Sequence, residues 1–171
     1  MPNSPNSPTI REQITAYILT ALAAIQQGQP VPNSPCGATF QQSVDEVYNT
    51  DISADENMAS DIVLGVFVQG DSTQSTLTKL SHGLDCPASL VFGIRAIIRG
   101  GVENIETVKS QLVADIKRAL WARLDFNLSI YCVCLKSMAF NQEYSSYSGS
   151  GALGMFLASI SIDYRYDPRN P

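Results

Sequence analysis

Charge is in short supply. Lys, Arg, Asp and Glu make up 16% of the 171 residues, well below the ~25% of an ordinary soluble domain, so something else must cover the surface. Two readings stand side by side. Nineteen serines and ten glutamines provide neutral polar cover, or much of the surface is buried against other chains, where interface cores are depleted of charge. Positive charge is the scarcer sign: eleven Lys and Arg against sixteen Asp and Glu leave a net −5 and a pI near 4.7. That balance opposes tight, non-specific wrapping of nucleic acid, which depends on cations neutralising phosphates, but it allows a surface that DNA merely slides past.

Long apolar runs are also missing. The best is "IVLGVFV", Ile62 to Val68, far short of the ~20 residues that span a bilayer, so a soluble protein without membrane contact is expected. The opening "MPNSPNSPTI" has neither a basic n-region nor an apolar h-region, and the expectation is a protein made and kept in a cytoplasm. Cys36, Cys86, Cys132 and Cys134 are then reduced thiols rather than a disulfide framework. Cys132 and Cys134, two apart in an expected strand, share a face and read as small buried hydrophobes.

Histidine is nearly absent, and with it most catalytic vocabulary. His82 stands alone in "KLSHGLD" near Ser81 and Asp85; no nucleophile motif accompanies them, and a surface loop histidine is the simpler reading. The cysteines lack the paired C-x-x-C spacing of structural zinc sites. "DISADEN", Asp51 to Asn57, opens like a calcium loop, but Glu56 stands where glycine is required and Ile62 where the last glutamate should be. Gly100 and Gly101 precede a helix without the Lys-Ser or Lys-Thr of a phosphate loop. Arg95, Arg99, Lys109, Lys117, Arg118 and Arg123 are interleaved with Glu103, Glu106 and Asp115, which reads as a salt-bridged or solvated face. No enzyme, cofactor or metal is expected.

What is present is periodicity. Ile10, Ile14, Ile18, Leu22 and Ile25 recur at helical spacing, with Thr9 and Glu12 as a capping box and Gly28 as a stop. A strand is expected within "TFQQSVDEVYNT", around Val44 to Asn49, and two apolar strands that pair with each other follow, Asp61 to Gly70 and Ser89 to Gly100. A stripe of Ile105, Val108, Leu112, Ile116 and Leu120 predicts a helix over Val102 to Leu124. The chain closes on a hairpin with arms Asn127–Phe140 and Ala152–Tyr166. In its second arm, "SISIDYRYDP", Ile160, Ile162, Tyr164 and Tyr166 alternate with Ser161, Asp163 and Arg165. Between elements lie a long loop, Asp71 to Ala88, and a polar tip, Asn141 to Gly151.

The expected fold is α+β: two helices on one face of a mainly antiparallel or mixed sheet of about five strands, in the order α-β-β-β-α-β-β. A single domain accounts for the chain, with residues 1–8 a Pro/Asn/Ser arm built on repeats of Pro-Asn-Ser-Pro, 9–168 the folded unit and 169–171 a stub.

This order of elements resembles the tail terminator proteins of long-tailed bacteriophages. The opening helix "TIREQITAYILTALAAI", the strand through "VDEVYNT", the paired "DIVLGVFVQ" and "LVFGIRAII", the long helix "VENIETVKSQLVADIKRALW" and the closing "LASISIDYRYDP" carry the likeness over nearly the whole chain after Thr9. The resemblance implies a structural virion protein assembled in the host cytoplasm. Such a protein forms a homomeric, usually hexameric, ring that caps the tail tube, stops its polymerisation and docks the tail to the head connector. Its partners would be itself, the tube protein, the connector or stopper and, in a contractile tail, the sheath, while DNA passes through the lumen without specific binding. Net negative charge would make that lumen repel DNA. On this reading the Asp71–Ala88 loop and the Asn141–Gly151 tip project as contact elements, and Tyr144, Tyr147, Asp163, Arg165, Lys79 and His82 are the candidate interface residues. Two alternatives remain: another ring-forming neck protein, or a small cytoplasmic α+β enzyme or ligand-binding domain built around His82 and nearby carboxylates.

Overall fold

The structure is a computed structural model that describes residues 9–34, 36–52, 60–73, 78–80, 83–101, 103–121, 133–148 and 151–166. Helix α1 (Ile10–Ala23) begins where expected. The Thr9 side chain accepts from Glu12 N at 3.2 Å, and Glu12 Oε2 accepts from Thr9 N at 2.7 Å, so the capping box satisfies donors that the first turn cannot. The helix ends earlier than Gly28, at Ala24. Gly28, at φ +80°, instead makes the next turn, its N–H bonded to Phe40 O at 2.9 Å.

Strands β1 (Glu46–Tyr48), β2 (Ile62–Thr73), β3 (Thr78–Leu80) and β4 (Gly83–Gly101) follow, then α2 (Ile105–Trp121), β5 (Cys134–Ser148) and β6 (Gly151–Tyr166). The sheet runs β1-β2-β4-β6-β5, with β3 paired to β4. β1 is parallel to β2 and every other pairing is antiparallel, so the sheet is mixed and the fold is α+β with one short strand more than expected.

Both helices cover one face. Ile14, Ile18 and Leu22 of α1 and Leu112, Ile116 and Leu120 of α2 join Leu64, Val66, Leu90, Phe92, Ile94, Ile98, Phe156, Ala158, Ile160 and Ile162 in one buried core. Period two in the strands and three-to-four in the helices bring these stripes together. Tyr164 is buried there as expected; the side chain of Tyr166 lies outside the described residues.

Two expected loops are strand instead. Much of Asp71–Ala88 extends β2 and β4 through the pairs Asp71↔Leu90, Ser72↔Ser89 and Thr73↔Ala88, with β3 beyond. The Asn141–Gly151 tip is likewise paired, from Asn141↔Leu157 to Ser148↔Gly151. Backbone bonding to a long neighbour sustains these strands where Ser, Thr and Gly give no apolar alternation. Gly100 and Gly101 end β4, and α2 begins at Ile105, later than the expected Val102, while the expected carboxyl end at residues 122–124 lies outside the described residues.

The loop after α1 is held by one buried charge. Asp115 on α2 is fully buried, and its Oδ2 accepts from Gln41 N at 2.7 Å and Gln42 N at 2.8 Å, while Oδ1 accepts from Arg118 at 3.0 Å. Removing that carboxylate strands two part-buried N–H donors and the guanidinium. Asp115→Ala is therefore expected to lower unfolding free energy by about 3 kcal/mol in urea titrations, with Asp115→Asn also destabilising, because an amide can accept with only one of its two polar atoms.

Candidate functional site

Strand pleating leaves a second, helix-free face. Along β6, Leu153, Met155, Leu157, Ser159, Ser161, Asp163 and Arg165 point away from the helices, so this face runs from apolar to polar along one strand. At the apolar end Ile52 packs on Val63 and Ile97, with Leu153 and Met155 against them. Glycine makes that approach possible: a Cβ at Gly65 would stand 2.6 Å from Thr50 O. Beside it Arg95 grips Asp51 with two bonds, 2.7 and 3.1 Å, which anchors the crossing segment to β4.

In the middle of the face Phe67 lies across Gly93, where a Cβ would come within 2.5 Å of the ring. Ser159 Oγ donates to Gln69 Oε1 at 3.0 Å, bridging β6 to β2 over β4. Phe67, Val91 and Leu157 are half-buried here, and nothing among the described residues covers them. At the polar end a row of register partners, Ser72, Ser89, Asp163 and Cys134, crosses four strands. With Pro87, Lys136 and Arg165 they line an open groove of about 680 Å³, in which Lys136 Nζ lies 3.4 Å from Asp163 Oδ2.

The expected interface residues are therefore dispersed. Asp163 and Arg165 meet in the groove. Tyr144, 54% exposed, shares their face but lies opposite Met155, eight residues along β6 from Asp163, or roughly 26 Å. Lys79 is placed only by its backbone, opposite Leu84 in β3, and Tyr147 only by its register with Ala152. His82 lies outside the described residues, as does Cys132.

Cys134 is exposed rather than buried. Leu135, Met138 and Phe140 take the core side of β5, which turns Cys134 outward. The basic cluster around α2 divides as well: Arg95 serves the helix-free face, Arg118 holds Asp115, Lys117 lies 4.9 Å above the Phe140 ring, and Lys109 is buried against Glu106 and Ser145. Lys136, Phe67, Leu153, Met155 and Leu157 were not singled out by sequence reasoning, although the apolar odd positions of "ALGMFLASIS" signalled Leu153, Met155 and Leu157.

At the β1 end of the same face, Ser60 Oγ donates to Glu46 at 2.6 Å and Tyr48 also donates to this carboxylate. The Ser60 bond first, then Tyr48, holds its pKa below the ordinary 4.5.

No group of three or more His, Cys, Asp or Glu among the described residues is placed to hold a metal ion, and no described helix is long and apolar enough to cross a membrane. The chain matches no protein-family model and no curated protein.

Two outcomes test this account of the face. Gly65→Ala should destabilise the fold by about 2 kcal/mol by displacing the Thr50–Ile52 crossing, read as a lower Tm. Glu46 stabilises the fold fully above pH ~4.5, and the contribution is lost as pH falls through its depressed folded value. Glu46→Gln should therefore make the acid limb of the stability–pH curve shallower than in the parent protein.

Proposed function

We propose that this protein is a structural assembly subunit, a tail terminator of a long-tailed bacteriophage. Its copies would form a ring, hexameric by the resemblance, that caps the tail tube, halts its polymerisation and presents a docking surface to the head connector in the assembled virion. The observation that carries this reading is the helix-free face. A sheet with helices on both sides would have no such surface, whereas here Phe67, Val91 and Leu157 stand half-exposed, and Tyr144 is exposed farther along the same face. Apolar and aromatic residues in a charge-poor setting are the composition of protein–protein contact.

The architecture supports the reading in a second respect. The order α-β-β-β-α-β-β, to which only the short β3 is added, accommodates every segment on which the family resemblance rests. The role so proposed is binding and geometry, without turnover.

Light scattering across a concentration series, followed by negative-stain images, is the direct test. Six copies of 18.5 kDa give a particle of about 111 kDa, and annular particles of that mass that bind one end of the cognate tail tube are the expected result. A ring that binds only the connector would place the protein at another level of the neck. A monomer at every concentration, with and without tube protein, would remove the reading.

A further inference from the structure

Two strand edges are left without partners among the described residues, and their positions are matched. β5 ends the sheet on one side. On the other, β1 covers only Val63 to Gly65 of β2, so the outer edge of β2 from Val66 to Thr73 is uncovered. Following the register across the sheet, Val66 is level with Ile94, Ala158 and Phe140, and Ser72 with Ser89, Asp163 and Cys134. The uncovered length of β2 therefore stands at the same height along the strands as the Cys134–Phe140 part of β5.

We propose that the subunits of the ring join edge to edge, β5 of one copy pairing antiparallel with the Val66–Ser72 edge of β2 in the next. This inference rests on the ring reading above and specifies its contact. Three antiparallel steps separate β2 from β5, so the two edges run in opposite directions and suit an antiparallel ladder between copies. Because they are level, rotation about an axis along the strands, with no rise, brings them together. A head-to-tail contact without rise closes into a ring instead of growing into a filament.

Charge selects the same partner. The uncovered Val66–Thr73 edge of β2 contains no Lys or Arg and carries exposed Asp71. The Cys134–Phe140 stretch carries exposed Lys136 and no acid. Opposite signs on the two edges of one molecule favour a second copy of the same chain in head-to-tail order and oppose contact between like edges.

Register irregularities on β5, between Leu135 and Ser137 and between Asn141 and Tyr144, and one on β2 between Val68 and Gly70 limit the regular ladder to a few residues. A short ladder associates weakly, which suits a subunit that must close only at its place of use.

Cross-linking tests the contact. Ser72 and Cys134 face the same side at the same level but are three strand spacings apart within one chain, roughly 14 Å, beyond the ~7 Å limit of a disulfide. Across the proposed contact they are neighbours. Ser72→Cys, oxidised mildly at a concentration where light scattering detects rings, should give a reducible ladder of dimers and higher species on denaturing gels. The yield should be roughly tenfold or more above that of Ser72→Cys/Cys134→Ser, because assembly raises the local thiol concentration. Gly70→Cys paired with Ser137→Cys, in the Cys134→Ser background, should do the same. Rings by light scattering with no ladder above control from either pair would overturn the edge contact and leave the ring standing. Monomers with no ladder at every concentration, with and without tube protein, would overturn both.

Discussion

Everything in this fold is referred to the ladder between β4 and β6. It runs without irregularity from Cys86↔Tyr166 to Gly101↔Gly151, and because side chains alternate strictly, its register fixes which residues meet the helices. A slip of β6 by one residue against β4 would send Phe156 and Ile160 to the open face and bring Ser159 and Asp163 under α1 and α2. The helices accept only the observed register. Gly154 marks the tolerance: a Cβ there would stand 3.0 Å from both Ile105 and Lys109, so α2 crosses β6 where β6 has no side chain.

From that constraint follows the difference between the two faces. The covered face is apolar along its whole length, and the uncovered one is graded, closed at one end by the Thr50–Ile52 crossing and open at the other around Asp163. Few of its charges are spent on solvent alone. Arg95 holds Asp51, Lys136 lies near Asp163, and on the helix side Arg118 meets Asp115 and Lys109 meets Glu106. A charge-poor chain that pairs these charges internally keeps fewer of them to repel a neighbour.

How much of this was legible depended on whether a feature is periodic. The stripes of α1 and α2, the Thr9–Glu12 box and the alternation from Ile160 to Tyr164 could be read from residue order, because each is generated by local geometry repeating along the chain. The polar halves of β2 and β5 could not, since Ser72 or Ser146 is held in strand by the backbone of another segment and not by its own side chain. Asp115 was hidden for a related reason: it serves Gln41 and Gln42, more than seventy positions earlier. The helix-free face was half legible, its polar positions noticed in the closing strand and its apolar ones at Leu153, Met155 and Leu157 passed over, because a strand apolar on both sides resembles one that is simply buried.

Such two-sided strands also create a hazard. A long sheet with an uncovered edge is a template for pairing with any other chain, and closure is the one arrangement that removes edges altogether. Neither β1, at three residues, nor the irregularities in β5 and β2 abolish the exposed edges of this sheet; they shorten the stretch on which a partner can settle. Shortening both edges to the same height, with Asp71 on one and Lys136 on the other, discriminates among partners in a way that covering them would not. It disfavours pairing of like edges and of displaced registers, and it leaves head-to-tail contact between level copies as the least opposed way to satisfy the remaining backbone groups.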